Sequence, residues 1–145
     1  DIAAALARGN TLPGRVAGEG DEEAGMRYLL TSMPGAYRPV DVAEVIAVAH
    51  SLGAIAVLAH PGREKGIYAI PADEGDIAAM AAAGLDGVEV HYPSHSASQR
   101  ELYAALAARH GLLVSGGSDS HHPRQSLAAV EPALVGGLLT RLGVA

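Results

Sequence analysis

The sequence predicts an α/β protein with parallel strands and helical crossovers. Three observations carry that expectation. After residue 40, helix-like and strand-like stretches follow in the order α-β-α-β-α-β-α, and such alternation implies a parallel sheet crossed by helices. The strand-like stretches, 54–59, 87–90 and 112–115, are short and largely apolar, as buried strands are. Two of them end in residues able to hold metal, His60 after the first and Asp119 with His121 after the third. The C-terminal ends of parallel strands share one side of a sheet, and α/β folds build their sites there.

Composition narrows the function. The 145 residues suit one domain of ordinary size with a real core, and with no Phe or Trp that core is aliphatic. There is no Cys, which excludes a disulfide framework and cysteine zinc sites and fits a reducing cytoplasm. No apolar run is long enough to span a bilayer. The net charge of −6 provides no general basic footprint for duplex nucleic acid. The first residue is Asp1, so the chain is read as cut, or as lacking an upstream part.

Taken in order, residues 1–8 read as the end of a helix stopped by Gly9-Asn10. Residues 11–25 carry Pro13, four glycines and four acidic residues, and read as a loop with nothing to anchor a core. Residues 26–30 read as a short helical turn, and 33–39 as extended. A helix is expected over 41–52, with Val42, Val45, Ile46, Ala49 and Leu52 on one face, Asp41 at the favourable N-terminal end and Gly53 as its stop. After the strand 54–59, residues 62–71 form a loop with Arg63, Lys65 and Tyr68. A second helix over 73–83 points Ile77, Met80 and Ala81 inward. The strand 87–90 runs into His91-Tyr-Pro-Ser-His95. Ser96 and Gln99 make a capping box for a helix to His110 that buries Leu102, Tyr103 and Leu106. Pro132 opens a last helix, to about residue 142, weakened by Gly136-Gly137.

The candidate site residues lie at the strand ends. Asp119 and His121, at i and i+2, point to the same side if the segment is extended. Together they suit Zn, Mn or Fe better than Ca or Mg. The plain alternative is a polar turn in which Asp119 caps a helix. His60, ahead of Pro61, strengthens the ligand reading, because two strands of one type deliver metal-capable residues to one side. His95 is open between ligand, substrate contact and surface residue, and His91 can face either way. His122 reads as solvent-exposed or as a support to the ligands. His50 and His110, late in helices, read as structural. Arg63 suits bidentate phosphate binding and Lys65 a point charge, against the alternative of a solvated loop. Asp86 reads as a loop carboxylate. Glu89 faces away from Val88 and Val90, and a buried carboxylate there needs a partner.

Ala59-His60-Pro61-Gly62-Arg63, Gly84-Leu-Asp-Gly-Val-Glu-Val-His-Tyr-Pro-Ser-His95 and Gly116-Gly-Ser-Asp119-Ser-His121 resemble the PHP (polymerase and histidinol phosphatase) superfamily. The similarity is strongest over 37–123, and the nearest branch is the bacterial metal-dependent phosphoesterases acting on nucleotides and short RNA. The resemblance implies the C-terminal part of a distorted (β/α)7 barrel. Residues 1–36 would be the end of a helical insertion with its loop, and 37–145 the barrel part. It implies two or three divalent ions, Mn, Zn or Fe, with His60, Asp119 and His121 as metal ligands and Arg63 at the substrate phosphate; His95 is a further candidate ligand whose role the resemblance leaves open, and Lys65 a further candidate for substrate binding from its place in the loop alone. The family's opening His-x-His and its next Asp, Glu and His ligands have no counterpart here.

The implied activity is hydrolysis of phosphate esters of nucleotides or short RNA through a metal-activated water. The implied partners are a small phosphorylated substrate and either an upstream half of the same domain or a second copy. Because three or four ligands are only part of such a set, the 145 residues are expected to be inactive alone. Two alternatives stay open: a remnant or module that binds metal or phosphate without catalysis, and another PHP activity such as histidinol phosphate hydrolysis. Upstream sequence separates the first, and substrate assays the second.

Overall fold

The computed structural model describes residues 2–36, 39–65, 69–121 and 123–144. Tyr68 and His122 lie outside the described residues. The chain forms two compact units, one of residues 1–40 with 64–70, the other of residues 41–63 with 71–145.

The first unit is a helical pair, α1 (Ile2–Gly9) and α2 (Asp21–Ser32). The glycines and acids of 11–25 predict a loop throughout, but α2 begins at Asp21. Three acidic residues in its first turn complement the helix dipole, and Glu23 accepts a hydrogen bond from the Gly20 N–H at 3.1 Å. Leu12, expected to anchor nothing, is buried with Ala7 and Ala24. The two helices come close at Gly25, where a Cβ would lie 2.0 Å from the Ala3 carbonyl oxygen. Lys65 belongs to this unit and is paired with Glu22 at 2.8 Å.

The second unit is mixed α/β and carries a three-stranded parallel sheet in the order β1 (Val57–Leu58), β2 (Gly87–His91), β3 (Leu113–Gly116). The crossovers are α4 (Glu74–Ala82) and α5 (Ala97–His110), and α3 (Val42–Ser51) precedes β1. The expected first strand shrinks to two paired residues. Caps define the helices: the Asp41 carboxylate accepts from the Ala43 and Glu44 N–H groups, Asp73 accepts from Asp76, and Ser96 accepts from Gln99 in the expected capping box. Gly111, at φ +67°, closes α5 in the left-handed region that glycine adopts without strain. The core joins Ile77 from α4, Val88 and Val90 from β2, and Tyr103, Leu106 and Ala107 from α5. The Tyr103 hydroxyl donates to the Ala72 carbonyl at 3.0 Å, and burial, then the Asp76 charge, push the phenol up.

Two packing expectations change. On α3 only Ile46 is fully buried; Val42, Val45 and Leu52 are exposed. Leu102, expected inside, is 44% exposed, while Tyr103 and Leu106 fill the core as expected. At the C-terminal end a 3-10 turn, Pro132–Val135, precedes a six-residue helix α6 (Gly136–Arg141) where the sequence predicts one helix, and the backbone leaves helical geometry between them at Val135 (φ −124°). Among the described residues no helix is long and apolar enough to cross a membrane.

Candidate metal and phosphate site

All three strands are parallel, so the segments leaving their C-terminal ends emerge on one side of the sheet. These segments carry His60 and Arg63 after β1, Tyr92 and His95 after β2, and Asp119 and His121 after β3.

His60 and Asp119 share an uncommon feature. Their φ angles are +33° and +47°, and they are the non-glycine residues with positive φ among those described. A residue other than Gly in this region is disfavoured sterically, and such conformations cluster where surrounding structure enforces them. At Asp119 this replaces the extended backbone on which the same-side argument for Asp119 and His121 rested. The His121 ring instead turns back, its Nδ1 2.7 Å from the Asp119 carbonyl oxygen and 3.5 Å from Oδ1. Its side chain is 72% exposed.

Asp119 is the meeting point. Its Oδ2 accepts from Arg63 at 3.4 Å and from the Tyr92 hydroxyl at 3.3 Å. Both contacts are long, so neither is strong. The Tyr92 ring lies 5.4 Å from the His60 ring, centroid to centroid. Arg63, His60, Tyr92 and Asp119 therefore form one chain of neighbours from three different strand ends. Tyr92 carries no motif of its own; its one sequence signal is its place directly after β2, ahead of Pro93.

His95 is 2% exposed, and both ring nitrogens are engaged. Nδ1 faces the Val90 carbonyl at 3.0 Å and must carry the proton; Nε2, the bare nitrogen, accepts from the Gly62 N–H at 3.0 Å. Gln99 donates to the Gly62 carbonyl at 2.8 Å. The side chains of His95 and Gln99 thus grip both polar groups of Gly62. A Cβ on residue 62 would meet the Gln99 amide at 2.8 Å and the His95 ring at 3.0 Å, so a larger residue there would displace one of them. Rather than presenting a lone pair to an ion, His95 holds the turn that carries His60 and Arg63. Sequence shows Gln99 only as a capping residue.

Glu89 finds its partner in backbone rather than in a cation: its Oε2 accepts from the His60 N–H at 2.6 Å. Asp86 does more than a loop carboxylate would. It accepts from the Ala56 N–H at 2.7 Å and lies 2.7 Å from His50 Nε2. Burial alone would raise its carboxyl, but the Ala56 amide and His50 together hold it below the usual range. The Nε2 of His110, expected to be structural, is buried and has no hydrogen-bond partner. A cleft of about 260 Å³ opens beside Tyr92, lined also by His91, Pro93, Arg100, Val130 and Leu134. Among the described residues no three His, Asp or Glu side chains converge into a group that could hold an ion.

No protein-family model matches the chain. Among curated relatives, a 3′,5′-nucleoside bisphosphate phosphatase from Chromobacterium violaceum is 37% identical over 100 residues, 67% of this chain and 34% of that protein. The 5′-3′ exoribonuclease Rnm of Escherichia coli is 37% identical over 101 residues, 67% of this chain and 33% of that protein. A phosphoribosyl 1,2-cyclic phosphate 1,2-diphosphodiesterase from Eggerthella lenta is 34% identical over 82 residues, 57% of this chain and 29% of that protein. The chain spans about a third of the length of the curated relatives it matches. Among solved structures, a metal-dependent phosphoesterase from Bifidobacterium adolescentis superposes with a TM-score of 0.59 at 31% identity, over 81% of this chain and 44% of that one. An amidohydrolase from Chromobacterium violaceum with bound sulfate gives a TM-score of 0.51 at 28% identity, over 79% of this chain and 49% of that one. Sequence shared with a phosphatase, a phosphodiesterase and a nuclease, and a fold shared with a metal-dependent phosphoesterase, meet in a chain with His60 and Asp119-Ser-His121 at its strand ends and relate it to the PHP superfamily.

Proposed function

We propose that the chain provides part of the site of a metal-dependent phosphoesterase acting on phosphate esters of nucleotides or short RNA. In this reading the three parallel strands are the last part of a seven-stranded barrel. His60, Asp119 and His121, which form no ion-holding group by themselves among the described residues, would be its metal ligands together with ligands from the rest of the barrel. The donor set of one carboxylate and two imidazoles suits Mn, Zn or Fe. A divalent ion, when bound, supplies positive charge to the phosphoryl oxygens and acidifies a water. Asp119 orients toward that role under the hold of Tyr92 and Arg63. Arg63, already drawn to a carboxylate, exchanges it for the substrate phosphate, which its planar fork matches. The cleft beside Tyr92 takes the part of the substrate beyond the phosphate. Lys65 is engaged by Glu22 and is given no part.

The observation that carries this reading is the left-handed backbone at both His60 and Asp119, on two separate loops leaving one side of the sheet. The relatives' named substrates, a nucleoside bisphosphate, a cyclic phosphate and RNA, support the substrate class. The test is a Mn²⁺ titration of the 145-residue chain by calorimetry, followed by a nucleoside 3′,5′-bisphosphate. Asp119→Asn keeps shape and tolerance of positive φ, so it is expected to leave the melting temperature nearly unchanged while weakening Mn²⁺ at least tenfold, about 1.4 kcal/mol. His121→Ala should behave alike. Arg63→Ala should spare Mn²⁺ and weaken the bisphosphate by about 1.5–3 kcal/mol, the range for hydrogen bonds to charged groups. Equal Mn²⁺ affinity in wild type, Asp119→Asn and His121→Ala would sink the proposal.

A further inference from the structure

Glu89 has no part in the ligand set above, yet it is buried at the centre of the site-bearing sheet. It lies on β2, the middle strand, and is 8% exposed. A carboxylate in such a place is costly unless hydrogen-bonded, and packing alone would be served better by Val, as at 88 and 90. Its two oxygens face two different loops. Oε2 takes the His60 N–H at 2.6 Å, a short, charge-assisted bond to the residue whose φ is +33°. Oε1 lies against Gly117, where an added Cβ would come within 3.0 Å of it. Gly117 is two residues before Asp119, whose φ is +47°. The pairing of β2 with β3 is also irregular at this point: Glu89 pairs with Ser115, but His91 pairs with Gly116. Such irregularities re-aim side chains near sites.

We infer that Glu89 is a positioning residue that fixes the His60 loop and the Asp119 loop relative to each other. The inference rests on the ligand reading above for its purpose, while the clamp itself rests only on geometry. Holding the His60 amide keeps its backbone in the left-handed region. Filling the space beside Gly117 sets where the chain to Asp119 leaves β3. The role requires an acceptor oxygen at Oε2, so Gln can fulfil it in part and Leu cannot.

The experiment uses the ¹⁵N-labelled 145-residue chain as wild type, Glu89→Leu, Glu89→Gln and Gly117→Ala, with amide hydrogen exchange, amide chemical shifts and a Zn²⁺ titration. Glu89→Leu is expected to speed exchange at His60 at least tenfold more than at the core amide of Val88. It should shift the Gly117 and Asp119 amides and weaken Zn²⁺ by about 10–100-fold, the usual effect of losing a group that orients a ligand. Glu89→Gln should restore slow exchange at His60 and most of the Zn²⁺ affinity. Gly117→Ala, which pushes on Oε1 from the other loop, should move the His60 amide signal. The inference fails if Glu89→Leu leaves His60 exchange and the Gly117 and Asp119 shifts unchanged, or if Gln behaves as Leu does. Should Glu89→Leu not fold, Gly117→Ala decides: a His60 signal that does not move overturns the clamp. If wild type takes up no Zn²⁺, the ligand reading fails, and exchange and shifts still decide the clamp.

Discussion

His60 and Asp119 hold backbone conformations that cost about 1–2 kcal/mol each for an L-residue, somewhat less for Asp. Their side-chain chemistry is legible from His-Pro-Gly-Arg and Ser-Asp-Ser-His, but their φ is not, because no turn signature in the sequence demands it. At His60 the hold is tertiary, the Glu89 carboxylate on its amide, while Asp119 has two long side-chain contacts, to Tyr92 and Arg63. The same limit applies to Asp86, which the sequence marks only as a carboxylate before a strand. Folding supplies it with the Ala56 amide and His50. Because its folded pKa is depressed, its stabilisation is fully present above its unfolded value. That stabilisation fades as pH falls through the folded value. Asp86→Ala is therefore expected to destabilise the chain near neutral pH by about 1.5–3 kcal/mol. The difference from wild type should shrink toward zero in acid. Urea unfolding of both proteins across pH 2–7 checks this; a difference independent of pH would mean that the charge is not what matters.

The helices show where periodicity is sufficient and where it is not. Ser96 caps its helix as the sequence implies, and Asp41 and Asp73 cap theirs in the same way, because a cap is a local interaction complete within four residues. The buried face is not local. Val42, Val45, Ile46, Ala49 and Leu52 satisfy a helical period, but the period cannot say which of them meets a neighbour. Only Ile46 does so fully, at 2% exposure, whereas Leu52 is 78% exposed. The start of α2 was hidden for the opposite reason: glycine and acid suggest a loop, yet three acids suit the first turn of a helix. Ile46 on α3 and Leu52 directly after it should separate sharply in denaturant. Ile46→Ala is expected to cost about 2–5 kcal/mol as a buried truncation. Leu52→Ser should stay within about 0.5 kcal/mol, as exposed changes do. Comparable losses at both would mean that the outer face of α3 is covered in solution.

Parallel strand direction followed from the β-α alternation, so the side of the sheet on which His60, Asp119 and His121 emerge was legible in the sequence. The extent of the site was not. In the proposed reading His60, Asp119 and His121 would supply at most three ligands, and a site that bound substrate beside two or three ions would need more. Among the described residues, the outer edges of β1 and β3 pair with no further strand, and open edges invite a partner. The chain also covers only 34% of the Chromobacterium violaceum phosphatase. These facts together predict that the 145 residues bind Mn²⁺ weakly and release no phosphate by themselves. Supplying the remaining structure should change that. The test is a chimera, the Chromobacterium violaceum phosphatase with its matched 100 residues replaced by those of this chain. Both proteins are stripped with a chelator, restored with Mn²⁺, and assayed for phosphate release from a nucleoside 3′,5′-bisphosphate. The chimera is expected to turn over and to lose that activity in His121→Ala, while the 145-residue chain stays at background. If the chain alone matches the chimera, and His121→Ala abolishes both, the partial-site argument is wrong. His91 or Glu89 would then have to act as a ligand, and Glu89 could no longer be a clamp alone.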